Sequence, residues 1–187
     1  MRLRYRFVGL TKIFHSIQRH LEPLAIAANI TQANNARLDV VLLTLGHLYL
    51  VFSNPSLNIE AALRDKVLDS LETRWAKIDQ DVFLMAVVLN PYLRHDRFNR
   101  SNRFLTEASL WVTFRRVYLR MLGEELNSEL SNNFTEYIHH LGEWSNESMM
   151  LGDISARAAK DVSSVTVSKG YREINLQCYH STKRLIS

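Results

Sequence analysis

The amino-acid sequence predicts an all-α fold, an irregular multi-helix bundle, and three observations carry that prediction. The chain has 187 residues with only six glycines and three prolines, too few turn formers for a sandwich or barrel. Hydrophobic residues make up 47% and charged residues 22%, the balance of a globular chain long enough to bury a core. Apolar residues recur at helical spacing through most of the length.

The elements follow in order. Leu3, Phe7, Leu10, Phe14, Ile17 and Leu21 recur at steps of three and four and define one apolar helical face. Pro23 is expected to end or kink that helix, because the residue before proline is pushed out of the α region. Asn29 to Asn35 offers capping side chains ahead of a strongly apolar helix from Leu38 to Phe52. That run is too short to span a bilayer, which takes about 20 apolar residues, and it contains Asp39, Thr44, Gly46 and His47. Ser53-Asn54-Pro55-Ser56 reads as a turn. Ile59, Leu63, Val67, Leu71, Trp75 and Ile78 mark the next helix, with Arg64, Asp65, Lys66, Asp69 and Glu72 on its outer face.

Asp79 or Asp81 caps a short apolar segment, Val82 to Leu89, read as a buried helix; Asn90-Pro91 stops it. Tyr92 to Asn102 reads as a basic loop. Ser101 or Asn102 is the expected cap of a helix through Phe104, Leu110, Trp111, Phe114, Val117, Tyr118 and Met121, with Gly123 as its C-terminal stop. Leu126 to Leu141 forms another, ended by Gly142 and opened near Glu124 and Glu125; one or two short helices follow between Ser145 and Lys160. Residues 1–160 are thus expected to form the helical domain. Residues 161–187 form a tail, either a β-hairpin built on Val162, Val165, Val167, Tyr171, Ile174 and Leu176 or a disordered end.

Catalytic templates are missing: there is no phosphate-binding glycine loop, no Gly-x-Ser-x-Gly elbow and no His-Glu-x-x-His. His139 and His140 are adjacent, so on a helix they diverge by about 100° and cannot share one ion. Asp65 and Asp69 share a helix face, but the flanking Arg64 and Lys66 make a solvated surface the better reading. The single cysteine, Cys178, excludes an internal disulfide and a cysteine-rich zinc site, which fits a reducing compartment. No metal, cofactor or enzymatic activity is expected. Trp75 and Trp111 fall on apolar stripes and read as core; Trp144 lies at a helix junction.

The net charge of +4 is unevenly spread. Arg2, Arg4, Arg6, Lys12 and Arg19 stand in an N-terminal stretch with no acid, an arginine-rich amphipathic pattern that also resembles a mitochondrial presequence. A second cluster, Arg94, Arg97, Arg100 and Arg103, continues through Arg115, Arg116 and Arg120 and is interleaved with Tyr92, Phe98 and Phe104. Arginine forks suit phosphate, so Arg94, Arg97, Arg100, Arg103, Arg115 and Arg116 are the candidate DNA contacts, set against the alternative of a solubilising surface.

Two stretches are more distinctive: Leu21-Glu-Pro-Leu-Ala-Ile-Ala-Ala-Asn-Ile-Thr-Gln-Ala-Asn-Asn-Ala-Arg-Leu-Asp-Val-Val-Leu-Leu-Thr-Leu-Gly-His-Leu-Tyr49 and Leu71-Glu-Thr-Arg-Trp-Ala-Lys-Ile-Asp-Gln-Asp-Val-Phe-Leu-Met-Ala-Val-Val-Leu-Asn-Pro-Tyr92. Together they resemble fungal members of the hAT transposase superfamily, whose catalytic domain is ribonuclease-H-like. Leu89-Asn90-Pro91-Tyr92 is similar to that family's Leu-Asp-Pro-Arg block, differing at Asn90 and Tyr92. The resemblance covers roughly residues 15 to 155. It implies the helical region inserted between the second catalytic aspartate and the later glutamate, so that no catalytic residue carries over; the first two acids would lie upstream of Met1. What it implies is a truncated, non-catalytic transposase fragment, resident in the nucleus. Its expected partners are DNA, through the arginines, or alternatively itself or intact transposases, through unpartnered helical faces.

Overall fold

The computed structural model describes residues 2–55, 59–97 and 105–162, with side chains at 14–15, 17–55, 59–96 and 105–156. Among these residues there are seven α-helices and no strand, as the scarcity of glycine and proline and the helical spacing predict. The helices are α1 (Arg2–Thr31), α2 (Leu38–Ser53), α3 (Ala61–Lys77), α4 (Gln80–Val88), α5 (Glu107–Leu122), α6 (Ser128–His139) and α7 (Leu151–Val162). Short 3₁₀ turns sit at His95–Arg97 and Gly142–Trp144. The expected tail, whether hairpin or disordered, lies outside the described residues apart from the end of α7.

The apolar helix α2 organises the packing. Leu42 joins the main core with Met85, Val87 and Val88 of α4, Leu110 and Val117 of α5, and Phe134, Tyr137 and Ile138 of α6. Leu48 and Phe52 join a second cluster with Ala27 of α1 and Leu71 of α3. Leu43 meets Ile30 of α1 in a third. A helix that is apolar around most of its circumference needs cover on most sides, and beyond the exposed Leu38 every residue of α2 is buried or partly buried. Trp75 and Trp111 pack against the main core, and Trp144 meets Tyr137 edge-on at 5.4 Å. Phe114 stacks on Phe134 at 4.6 Å, binding α5 to α6.

Several boundaries depart from the sequence reading. The first helix runs through Pro23 to Thr31 instead of ending there. Proline in a helix interior costs about 3 kcal/mol, and the next turns offset it by packing Leu24, Ala27 and Ile30 against α2. The asparagines between residues 29 and 35 do not cap α2; its N-cap is Arg37, without a side-chain cap bond, and Arg37 instead pairs with Asp39 in the first turn. The cap of α5 is Thr106, which accepts from the Ser109 amide at 3.2 Å, and not Ser101 or Asn102. The cap of α6 is Asn127, so Glu124 and Glu125 precede that helix, and His140 closes it two residues before Gly142. As expected, Asp79 caps α4 and Gly123 ends α5 in the left-handed conformation at φ 73°.

Candidate functional site

The basic region is built from the end of α4 outward. Asn90 follows α4, and its carbonyl accepts from the amides of Leu93 and Arg94, both at 2.9 Å, while its side chain accepts from the Tyr92 amide at 3.0 Å. Its amide nitrogen donates to Asp39 of α2 at 2.6 Å. Burial alone would raise the Asp39 carboxyl, but hydrogen bonds from Arg37 and Asn90 outweigh that and hold its pKa below the ordinary value. This locked turn throws Arg94 into the left-handed region at φ 50°.

The consequence overturns Arg94 as a DNA contact. Its side chain is 1% exposed and runs beneath α6. It donates to the carbonyls of Tyr137 (3.2 Å) and Trp144 (2.7 Å) and to Met149 Sδ (3.1 Å), and its guanidinium lies 4.7 Å from the centre of the Tyr137 ring. The charge faces the Tyr137 carbonyl at the C-terminal end of α6, where the helix dipole is negative, and the Trp144 carbonyl in the 3₁₀ turn beyond it, so it is solvated internally and closed to phosphate. Tyr137 in turn donates to the Val88 carbonyl at 3.1 Å, and burial pushes its phenol up to about 12. Arg94 is therefore a structural bolt joining α4 to α6.

Arg115 and Arg116 are exposed on α5, and each already holds a carboxylate. Arg115 pairs with Glu125 at 2.8 Å and Arg116 with Asp81 at 2.8 Å, while Arg120 pairs with Asp79 at 2.6 Å. The Arg116 and Arg120 pairs tie α5 to the start of α4, the Arg115 pair closes onto the segment that follows α5, and together they cancel much of the local charge. The side chain of Arg97, and Arg100 and Arg103 altogether, lie outside the described residues.

Two open clefts, of about 450 and 440 Å³, share Asp96 and His140. His140 Nε2 meets Asp96 Oδ2 at 3.0 Å and its Nδ1 meets Asn146 Oδ1 at 3.2 Å. Both ring nitrogens of His140 are thus engaged by neighbouring side chains. His139 points elsewhere, to Glu107 at 3.2 Å. Among the described residues no three His, Cys, Asp or Glu side chains converge on a metal position. Two hydroxyls nearby are engaged: Ser148 Oγ donates to the Gly142 carbonyl, and Ser145 Oγ accepts from the Ser148 amide.

The described part of α1 exposes an apolar stripe. From Phe14 to Glu22 every described side chain is exposed or only partly covered, including Phe14 at 69%, Ile17 at 48% and Leu21 at 56%. Sequence spacing identifies this apolar stripe but not that the fold leaves it bare. No described helix is long and apolar enough to cross a membrane. No family model, curated protein or solved structure matches the chain.

Proposed function

We propose that the chain is a non-catalytic helical interaction module derived from a hAT-type transposase, acting by pairing an exposed helix face with another protein. One observation carries the reading: α1 holds an apolar stripe in solvent beyond the last turn that the body covers. Contiguous exposed apolar surface of this kind marks interaction sites. The derivation is supported by the way the two stretches that resemble the transposases meet: the Asn90–Asp39 bond and the α2–α4 packing join them into one unit. The ion pairs of Arg115, Arg116 and Arg120 and the burial of Arg94 weigh against duplex DNA as the main partner.

Hydrogen exchange tests the reading. Amides of residues 14–22 are expected to gain protection at high protein concentration or on addition of an intact hAT-type transposase. Unchanged exchange under both conditions would sink it. Salt-dependent binding of a labelled duplex, lost in Arg115→Ala/Arg116→Ala, would restore the DNA reading instead.

A further inference from the structure

We infer that the partner of α1 is a second copy of this chain, held by a two-helix coiled coil along α1; the inference rests on the interaction-module reading above. The exposed trio Phe14, Ile17 and Leu21 belongs to a stricter pattern than general amphipathicity. Counting from Leu3, the apolar positions Phe7, Leu10, Phe14, Ile17 and Leu21 follow at alternating steps of four and three. That is the a/d alternation of a coiled-coil seam, with Phe7, Phe14 and Leu21 at a and Leu3, Leu10 and Ile17 at d. Ile13 at g widens the seam on one side, and the a and d positions fit one neighbouring helix of the same period.

The placement of charge selects the occupant. With that register, Lys12 and Arg19 fall at f, the outermost position, and Arg2 at c. The positions that flank the seam over the second and third heptads are Thr11, Ile13, Gln18 and His20, which carry no carboxylate and no lysine or arginine. Coiled coils choose foreign partners largely through e and g charges; over most of its length this seam carries no such code. Only Arg4 and Arg6 flank it as cations, and in a parallel self-pair Arg6 faces Thr11, so two copies meet without like charges opposed. The N-terminal cations therefore do not prevent self-association. Identical seams match in length and register, and two-fold pairing of one patch with itself is the commonest closed assembly.

Sedimentation velocity on the full chain from low to high micromolar concentration tests this, beside two variants. Wild type is expected to show a concentration-dependent dimer. Phe14→Glu/Leu21→Glu is expected to weaken association roughly tenfold or more, since buried apolar area supplies the attraction. Both positions are exposed, so helix content by circular dichroism and the thermal midpoint of dilute protein should not fall. Lys12→Glu/Arg19→Glu is expected to dimerise as wild type does. A wild type that stays monomeric, or a dimer indifferent to Phe14→Glu/Leu21→Glu, overturns the self-pairing. Titrating that monomeric protein with a synthetic helix carrying leucine at a and d and glutamate at e and g then separates the failures. Binding that depends on Phe14 and Leu21 keeps the interaction module and replaces its partner with an acidic helix; no binding removes both. Capture by anionic vesicles in place of dimerisation assigns the face to lipid and also overturns the proposal.

Discussion

Arg94 sets the argument at the scale of single residues. Among the described residues its guanidinium meets no carboxylate and its buried Nε no acceptor, and two carbonyls, a thioether and the Tyr137 ring hold the charge. Removing the side chain takes a charged donor from those carbonyls and opens a void between α4 and α6. Arg94→Ala is expected to destabilise by about 3–5 kcal/mol in denaturant unfolding, the range for breaking a buried charged network. Arg94→Met keeps most of the volume and discards the buried charge, so its loss should be clearly smaller. His47 makes a separate prediction. Burial lowers its pKa below 6.5, and its buried Nδ1 has no hydrogen-bond partner among the described residues. The unfolded chain therefore binds a proton more readily than the folded one as pH falls through 6.5. Stability should drop over that interval, and His47→Leu should flatten the drop when unfolding is compared at neutral and mildly acid pH. A wild type and variant with parallel pH profiles would show that His47 does not couple to folding. Neither residue was legible as such in the sequence: Arg94 looks like its neighbouring arginines, and the acceptors that bury it lie 43 to 55 positions further along the chain.

At the scale of elements, legibility followed the range of the forces. Local rules placed α4, because Asp79 supplies a cap and Asn90-Pro91 a stop within a few residues. They also placed the end of α5, where Gly123 sits at φ 73° with no atom within 4 Å of a Cβ built there. Space is not the obstacle to a side chain at that site; the left-handed backbone is. Gly123→Ala is expected to cost about 1 kcal/mol, with Gly123→Asn milder, because alanine pays the full left-handed penalty. Thermal midpoints would register this as a fall of about 2–4 °C per kcal/mol for a chain of this size. Equal midpoints for the glycine and alanine forms would mean that the helix end relaxes out of the left-handed region. Where local rules failed, tertiary packing had decided: Pro23 stays inside α1 because Leu24, Ala27 and Ile30 are held against α2. The ion pairs between α5 and the start of α4 were invisible for the same reason, since Arg116 and Asp81 are 35 positions apart. Each lies at the surface, with only Asp81 partly buried, and is worth about 0–1 kcal/mol, so their main effect is to occupy arginines that spacing alone offered to phosphate.

The whole molecule divides into a packed body and an extension. The body begins where Leu24 and Ala27 turn inward, and the three core clusters all run through α2. Ahead of that point, the described part of α1 buries no side chain completely. The sequence marked this helix as amphipathic, as it did the helices that do reach the core; what it lacked was any sign of which apolar faces find cover inside the chain. A 30-residue helix whose described residues from Phe14 to Glu22 stand largely in water is maintained poorly there by propensity alone, since helix stability in proteins comes mainly from packing. Pairing along α1 would supply that packing, and linkage turns this into a measurement. The midpoint of thermal unfolding of the full chain should rise with protein concentration, because association binds only the folded form. A chain beginning at Pro23 should keep the helix content of the body, unfold near the midpoint of the dilute full chain, and show no concentration dependence. If the shortened chain instead loses the cooperative transition, the first half of α1 supports the body directly, and the division into body and extension is wrong.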